Sequence, residues 1–274
     1  MRIGVLFRTE MIKVRRRPAF WVAVLALLAA LALTYGIRLH ASVKHGRTPA
    51  PLPEAWEGIL LGTGPLPALL AAVALILLTA SEFSWRTARQ NVIDGLSKNE
   101  WFLAKLLLLP FLATVFLGVQ TVAGAGAVVA LAGAGEGGAW IGREDLGALA
   151  GSSIAFLGIG SMALLAAFAA RSSGPAIGIF LLYLAIAEDV LLLVMRRIES
   201  IAAAADFLPG RLMVTLLRGE QYYAEAARRV IEAAQEAGRT PPTIHDTGTL
   251  LLAASSYALL FLAAAFVLYS RRDL

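Results

Sequence analysis

Six apolar stretches, each close to the length that a bilayer demands, constrain this chain more than any other feature. They run roughly over 20–35, 59–80, 106–132, 146–170, 174–195 and 250–269. A hydrocarbon core about 30 Å thick is crossed by about 20 apolar residues in helical form. Composition agrees: 58% of residues are hydrophobic and 16% charged, and the mean hydropathy is +0.72, far from the average of soluble domains. The expected fold is all-α, a polytopic membrane protein of six transmembrane helices. No internal repeat or soluble domain boundary is visible, so 1–274 reads as one membrane domain.

The first stretch is the shortest, with Trp21 and Tyr35 as interfacial anchors. Arg15, Arg16 and Arg17 before it suggest a signal peptide. The run is longer than a usual signal core, however, and Tyr35, Arg38 and His40 follow where a small-residue cleavage site would stand. An uncleaved span is expected. Cysteine is absent, which excludes disulfides and thiolate metal sites.

Lysine and arginine set the orientation. With the N-terminus inside, the inner segments hold Arg2, Arg8, Lys13, Arg15–Arg17, Arg86, Arg89, Lys98, Lys105, Arg171, Arg271 and Arg272, while the first two outer loops hold Arg38, Lys44, Arg47 and Arg143. Residues 196–249 add arginines to the third outer loop, but long loops translocate with less regard to charge. Both termini are thus expected to be cytoplasmic in a cell (inner) membrane. The basic residues cluster at span ends, where they meet an anionic leaflet, and form no single stripe, so nucleic acid is not an expected partner.

Outside the spans, residues 1–17 place Ile3, Leu6, Phe7, Met11 and Val14 at helical spacing against Arg2, Glu10, Lys13 and Arg17, which predicts an amphipathic helix lying along the interface. Pro18 turns it into the first span. Residues 221–237 predict a helix outside the membrane, with Glu225 and Arg229 paired at i,i+4 and an end marked by Gly238 and Pro241–Pro242. Pro209 and Gly210 interrupt the stretch after the fifth span, where a short re-entrant or interfacial element fits.

The richest polar segment joins the second and third spans, Glu82 to Lys105, reading EFSWRTARQNVIDGLSKNEWFLAK. A helix over 83–93 would put Arg86, Arg89 or Gln90, and Ile93 on one side, a cationic face with an apolar knob suited to a groove on a soluble partner. Glu82 can pair with Arg86 at i,i+4. Gly95 can take the left-handed conformation that ends this helix. Ser97 then caps a second helix with Glu100 at its third position, running on into the third span.

The segment resembles the loop by which permease subunits of type-2 ATP-binding-cassette exporters engage their ATPase. In that family a basic amphipathic helix precedes the first span, an acid and a Gly-Thr-x-Arg element lead to a Ser-Arg turn and a Lys, and a Pro-containing segment follows the fifth span. Residues 1–17, then Glu82, Thr87, Arg89, Ser97, Lys98 and Lys105, then Leu208–Pro209 are similar to these in order. Arg86 stands where the family often has Gly, and Lys98 replaces the commoner Arg, keeping the charge but losing a bidentate donor. The resemblance implies ATPase-coupling roles for Glu82, Arg86, Thr87, Arg89, Gln90, Ile93, Asp94, Gly95, Ser97, Lys98 and Lys105. It also implies a separate ATP-binding subunit and a second permease copy or paralogue as partners, and no cofactor on this chain, ATP being bound by the partner.

Glu188 and Asp189 lie inside the fifth span, where carboxylates cost several kcal/mol unless paired or hydrated. Two readings stand open: structural pairing, with Asp189 seven residues from Arg196 on one face, or lining of a translocation pathway. Other signals are weaker. Gly147–Gly151 and Gly174–Gly178 permit close helix contact, and the glycines from Gly124 to Gly138 do the same or form a loop. A phosphate-binding Gly-x4-Gly-Lys pattern is missing, so the chain is not expected to hydrolyse ATP alone, and His40, His45 and His245 lack metal-ligand spacing. Gly158-Ile-Gly-Ser161 invites an intramembrane serine protease, but no span holds a histidine base. The expected function is the permease subunit of an ATP-driven exporter. The alternatives are an ion-coupled secondary transporter using Glu188 and Asp189, and a non-transporting scaffold or membrane enzyme.

Overall fold

The computed structural model describes residues 3–44, 55–85, 87–93, 95–132, 141–198, 200–219, 221–237 and 243–271. The protein is 87% helical, and the described residues include no strand. Among the described residues six helical stretches are long and apolar enough to cross a membrane: Pro18–Ala41, Trp56–Ser84, Lys98–Ala130, Arg143–Ala170, Ser173–Met195 and Thr247–Ser270. Each covers one of the six apolar runs.

Helix α1 (Ile3–Arg16) turns Leu6, Glu10 and Val14 inward. One residue, Arg17, separates it from α2 (Pro18–Lys44), whose first position is a proline, where the missing N–H costs nothing. The second span is divided: α3 (Trp56–Leu61) is followed by a turn containing Gly64 at φ +57°, then α4 (Leu66–Ser84). The expected helix over 83–93 is also divided. Phe83 and Ser84 complete α4, whose last turn closes with the Trp85 amide donating to the Ser81 carbonyl, and α5 (Thr87–Ile93) is separate.

Helix α6 (Lys98–Ala132) has 35 residues, about 50 Å at 1.5 Å per residue, so it outruns a hydrocarbon core. Helix α7 (Arg143–Ala170) follows, then α8 (Ser173–Leu182), a single π turn (Tyr183–Ala187) and α9 (Glu188–Met195), which together form the fifth span. Beyond it come a 3₁₀ turn (Ala202–Phe207), α10 (Pro209–Arg218), α11 (Ala224–Glu236) and the last span, α12 (Thr247–Ser270). Pro209 therefore starts a helix instead of merely interrupting one.

The centre of the bundle is α7, which packs against α4, α6, α8, α10 and α12. Of its most apolar window 67% is buried, against 11% for the fifth span. Helices in lipid gain little from apolarity itself, so close approach decides, and α7 buries Ala148, Gly151, Ala155, Gly158, Gly160, Ala163 and Ala167. Its glycine pair meets a side chain, because the Tyr222 ring lies against Gly147 and Gly151. Gly174 and Gly178, by contrast, face open space.

One end of the bundle, the loop end, gathers α1, α5, the start of α6 and the α7–α8 junction. An aromatic cluster closes it, with Tyr269 stacked on Trp101 at 5.2 Å and on Phe102 at 5.7 Å, and Phe83 and Phe168 edge-on or tilted around them. At the far end Gln120 donates to the carbonyls of Ile59 and Leu60, pinning α3 to α6. Tyr223 donates to Asp145 at 2.8 Å, and Arg229 pairs with Glu57, holding α11 over α7 and α3. The expected Glu225–Arg229 pair is thus replaced: Glu225 takes Arg228 at i,i+3, and Arg229 reaches Glu57 instead.

Candidate functional site

At the loop end α5 presents its outer side to solvent. Thr87, Arg89, Gln90 and Ile93 are exposed, Ile93 to 66%, and so is Trp85 before them, while Ala88 is buried beneath. Arg89, Gln90 and Ile93, the described members of the cationic face and apolar knob expected from the sequence, thus lie on the solvent side. Arg86 and Asp94 lie outside the described residues. After α5 the Leu96 amide donates to the Asn91 carbonyl across Gly95 at φ +104°, a helix end that needs a residue tolerant of positive φ. Ser97 Oγ then accepts from the Glu100 amide at 3.2 Å while Glu100 Oε2 accepts from the Ser97 amide at 2.9 Å, a reciprocal cap that starts α6 at Lys98.

Glu82 and Lys105 stand apart from that exposed face. Glu82 is 2% exposed and Lys105 not at all. Lys105 Nζ lies 2.7 Å from both Glu82 Oε1 and Glu10 Oε2, and Lys13 Nζ lies 2.8 Å from Glu10 and 3.2 Å from Glu82. Two acids and two lysines alternate, so no charge is left uncompensated, as burial requires. Trp101 Nε1 and Asn91 Nδ2 donate to the other Glu82 oxygen at 3.0 and 3.5 Å, and Lys105 sits over the Trp101 ring. Burial opposes the charge on Lys13, but Glu10 and Glu82 outweigh it and hold its pKa above the usual 10.5.

This cluster joins α1, the end of α4, α5 through Asn91, and the first turns of α6. Thr87 Oγ1 adds a bond to the Glu82 carbonyl at 3.3 Å, and Arg17 reaches Ser81 and stacks over Trp85. The Glu82–Arg86 pair expected from the sequence involves a residue outside the described ones; among those, Glu82 meets Lys13, Lys105, Asn91 and Trp101. Glu10, Lys13, Asn91 and Trp101 were not singled out as site residues in the sequence. Glu10 and Lys13 showed only as the polar side of α1.

Glu188 and Asp189 are separated by their environment. Glu188 is 5% exposed and its Oε1 accepts from the Gly210 amide at 2.6 Å and the Tyr183 hydroxyl at 3.2 Å. The first N–H of α10, since Pro209 has none, thus finds its acceptor on another helix, a favourable place for a carboxylate at the positive end of a helix. The π turn immediately before Glu188 adds a residue to the winding and so re-aims this side chain. Asp189 is exposed, and Arg196, its expected partner, instead pairs with Asp206 at 3.3 Å.

Residues 6–187 match the family described as ABC-2 family transporter protein. The chain belongs to the ABC-2 transporter family. No curated protein matches it. The matched stretch begins in α1 and ends at the π turn, so it contains the whole ion cluster and α5. This ABC-2 permease is therefore a multi-pass membrane protein of a transport system, a class that works with an ATP-binding subunit.

Proposed function

We propose that this chain is the membrane-spanning subunit of an ATP-driven exporter in the cell membrane, with both termini cytoplasmic and α1 lying along the inner interface. It pairs with a second permease, a copy or a paralogue, and with ATP-binding subunits that carry all of the ATP chemistry. The exposed side of α5 seats on the ATP-binding subunit, and the cap at Ser97 hands motion to α6.

The observation that carries this reading is the Glu10–Lys105–Glu82–Lys13 cluster. A soluble partner that pushes α5 pushes, through Asn91 and Glu82, two spans and α1 together. An ordinary solvated loop would have no reason to be tied so deeply. Glu188 is engaged in capping α10, which supports a positioning role for it over a coupling-ion site.

Arg89→Glu combined with Ile93→Glu tests the seat of the motor. The account expects normal insertion in the membrane and loss of the ATP-binding subunit on mild detergent extraction, where the unaltered chain brings it down in equal amount. Undiminished co-purification and ATP turnover would remove α5 as the contact.

A further inference from the structure

Helix α1 carries two charged sides, and the ion cluster uses one of them. Inward, Glu10 and Lys13 join Glu82 and Lys105, where two acids meet two lysines and cancel. Outward, Arg8, Ile12, Arg15 and Arg16 follow one another at i, i+4, i+7 and i+8, so they share a face. All four are exposed, and no carboxylate among the described residues pairs with the three arginines.

Exposure does not say what covers this face, but the contacts of α1 set its depth. Phe7 meets Phe111 edge-on at 5.9 Å and Glu10 meets Lys105 at 2.7 Å, while the apolar run of the third span begins at Leu106. The helix therefore lies beside the first apolar turns of α6. At its other end only Arg17 separates it from Pro18, where the first span starts. Trp21, one turn into that span, donates its indole N–H to the Arg15 carbonyl at 2.9 Å, and an indole with one polar edge belongs at the headgroup level. Both ends of α1 are thus held at the boundary between apolar core and water. Three uncompensated guanidinium groups around an isoleucine at that depth match phosphate oxygens above acyl chains.

We propose that the outward face of α1 binds the headgroups of anionic phospholipids, with Arg8, Arg15 and Arg16 on the phosphate oxygens and Ile12 between them among the first acyl carbons. Because the inward side of the same helix is ion-paired to α4 and α6, bound lipid anchors the junction behind α5 to the membrane surface. This rests on the reading of α1 as an interfacial helix and not on the contact of α5 with the ATP-binding subunit.

The test uses the full chain in nanodiscs of phosphatidylcholine. A fluorescent donor is attached through Thr9→Cys, an exposed position of α1 in a chain that has no other cysteine. Energy transfer is read to phosphatidylglycerol or phosphatidylcholine carrying the same labelled acyl chain, so the two acceptors differ only in headgroup. Phosphatidylglycerol is expected to reach a given transfer at about fivefold lower content, the gain that one arginine near an anionic surface supplies. High salt should remove the preference, and soluble glycerol phosphate should compete poorly. Replacing Arg8, Arg15 and Arg16 together by Gln should bring transfer down to the phosphatidylcholine level, while Arg228→Gln on α11 should leave it unchanged. The headgroup and salt arms need no arginine variant, so a triple mutant that folds poorly does not decide the matter. Equal transfer to both lipids, insensitivity to salt, or equal competition by glycerol phosphate would each overturn the proposal. Loss of the preference once the ATP-binding subunit is added would assign the face to that subunit and overturn it as well. The lipid arms contain no ATP-binding subunit, so their failure leaves the contact at α5 standing.

Discussion

Lys105 has no exposed surface and lies 2.7 Å from each of two buried carboxylates, so its removal strands both. Breaking a buried ion pair from one side costs about 3–5 kcal/mol. Lys105→Met should therefore lower the thermal midpoint in detergent far more than Lys13→Met, because Lys13 is 29% exposed and water can replace it. Equal midpoints for the two variants would contradict the cluster. The pH dependence has a definite sign. Lys13 has a folded pKa raised above 10.5, so its contribution is fully present below that value and is lost as pH rises through the folded pKa. The stability gap between the unaltered chain and Lys13→Met should be flat up to about pH 10 and close above it. None of this was legible as a pair. Glu10 and Lys105 are 95 residues apart, and the sequence pointed Glu82 to a neighbour at i,i+4, whereas packing of α1 against α6 brings it Lys13 and Lys105.

Elements whose signals are local were read well. The cap from Ser97 to Glu100 and the positive φ at Gly95 lie within a few residues of one another, so the start of α6 follows from side chains that can reach only that backbone. The break after Ser84 was missed, because nothing in Trp85-Arg86 disfavours a helix; the chain turns there while Glu82 is held in the cluster. The start of α10 had half a signal, Pro209, while its acid cap came from another helix and leaves no sequence pattern. Glu188→Gln keeps an acceptor for the Gly210 amide, and Glu188→Leu leaves that amide buried and unpaired at a cost of about 1–3 kcal/mol. Limited trypsin digestion, read at the arginines of 196–218, should therefore be nearly unchanged in the first variant and clearly faster in the second. Equal rates in both would contradict the capping role.

At the scale of the molecule the six spans were legible because apolar length is a property of each segment alone. Which span sits at the centre was not, since all six are about equally apolar; only the small residues of α7 mark it, and their effect depends on which neighbours approach. The same holds for function: the family points to a permease subunit of an ABC transport system, and the structure adds an ion-paired junction of α1, α4, α5 and α6 behind the exposed face. The cysteine-free chain allows the contact at that face to be measured directly. A single cysteine at Arg89 or Ile93, treated with a short thiol-to-amine cross-linker in membranes, should join this chain to the ATP-binding subunit with a yield that changes when ATP is added, while a cysteine at Arg228 should not. Cross-linking from Arg228, or none from either α5 position in a complex that still co-purifies, would contradict the account.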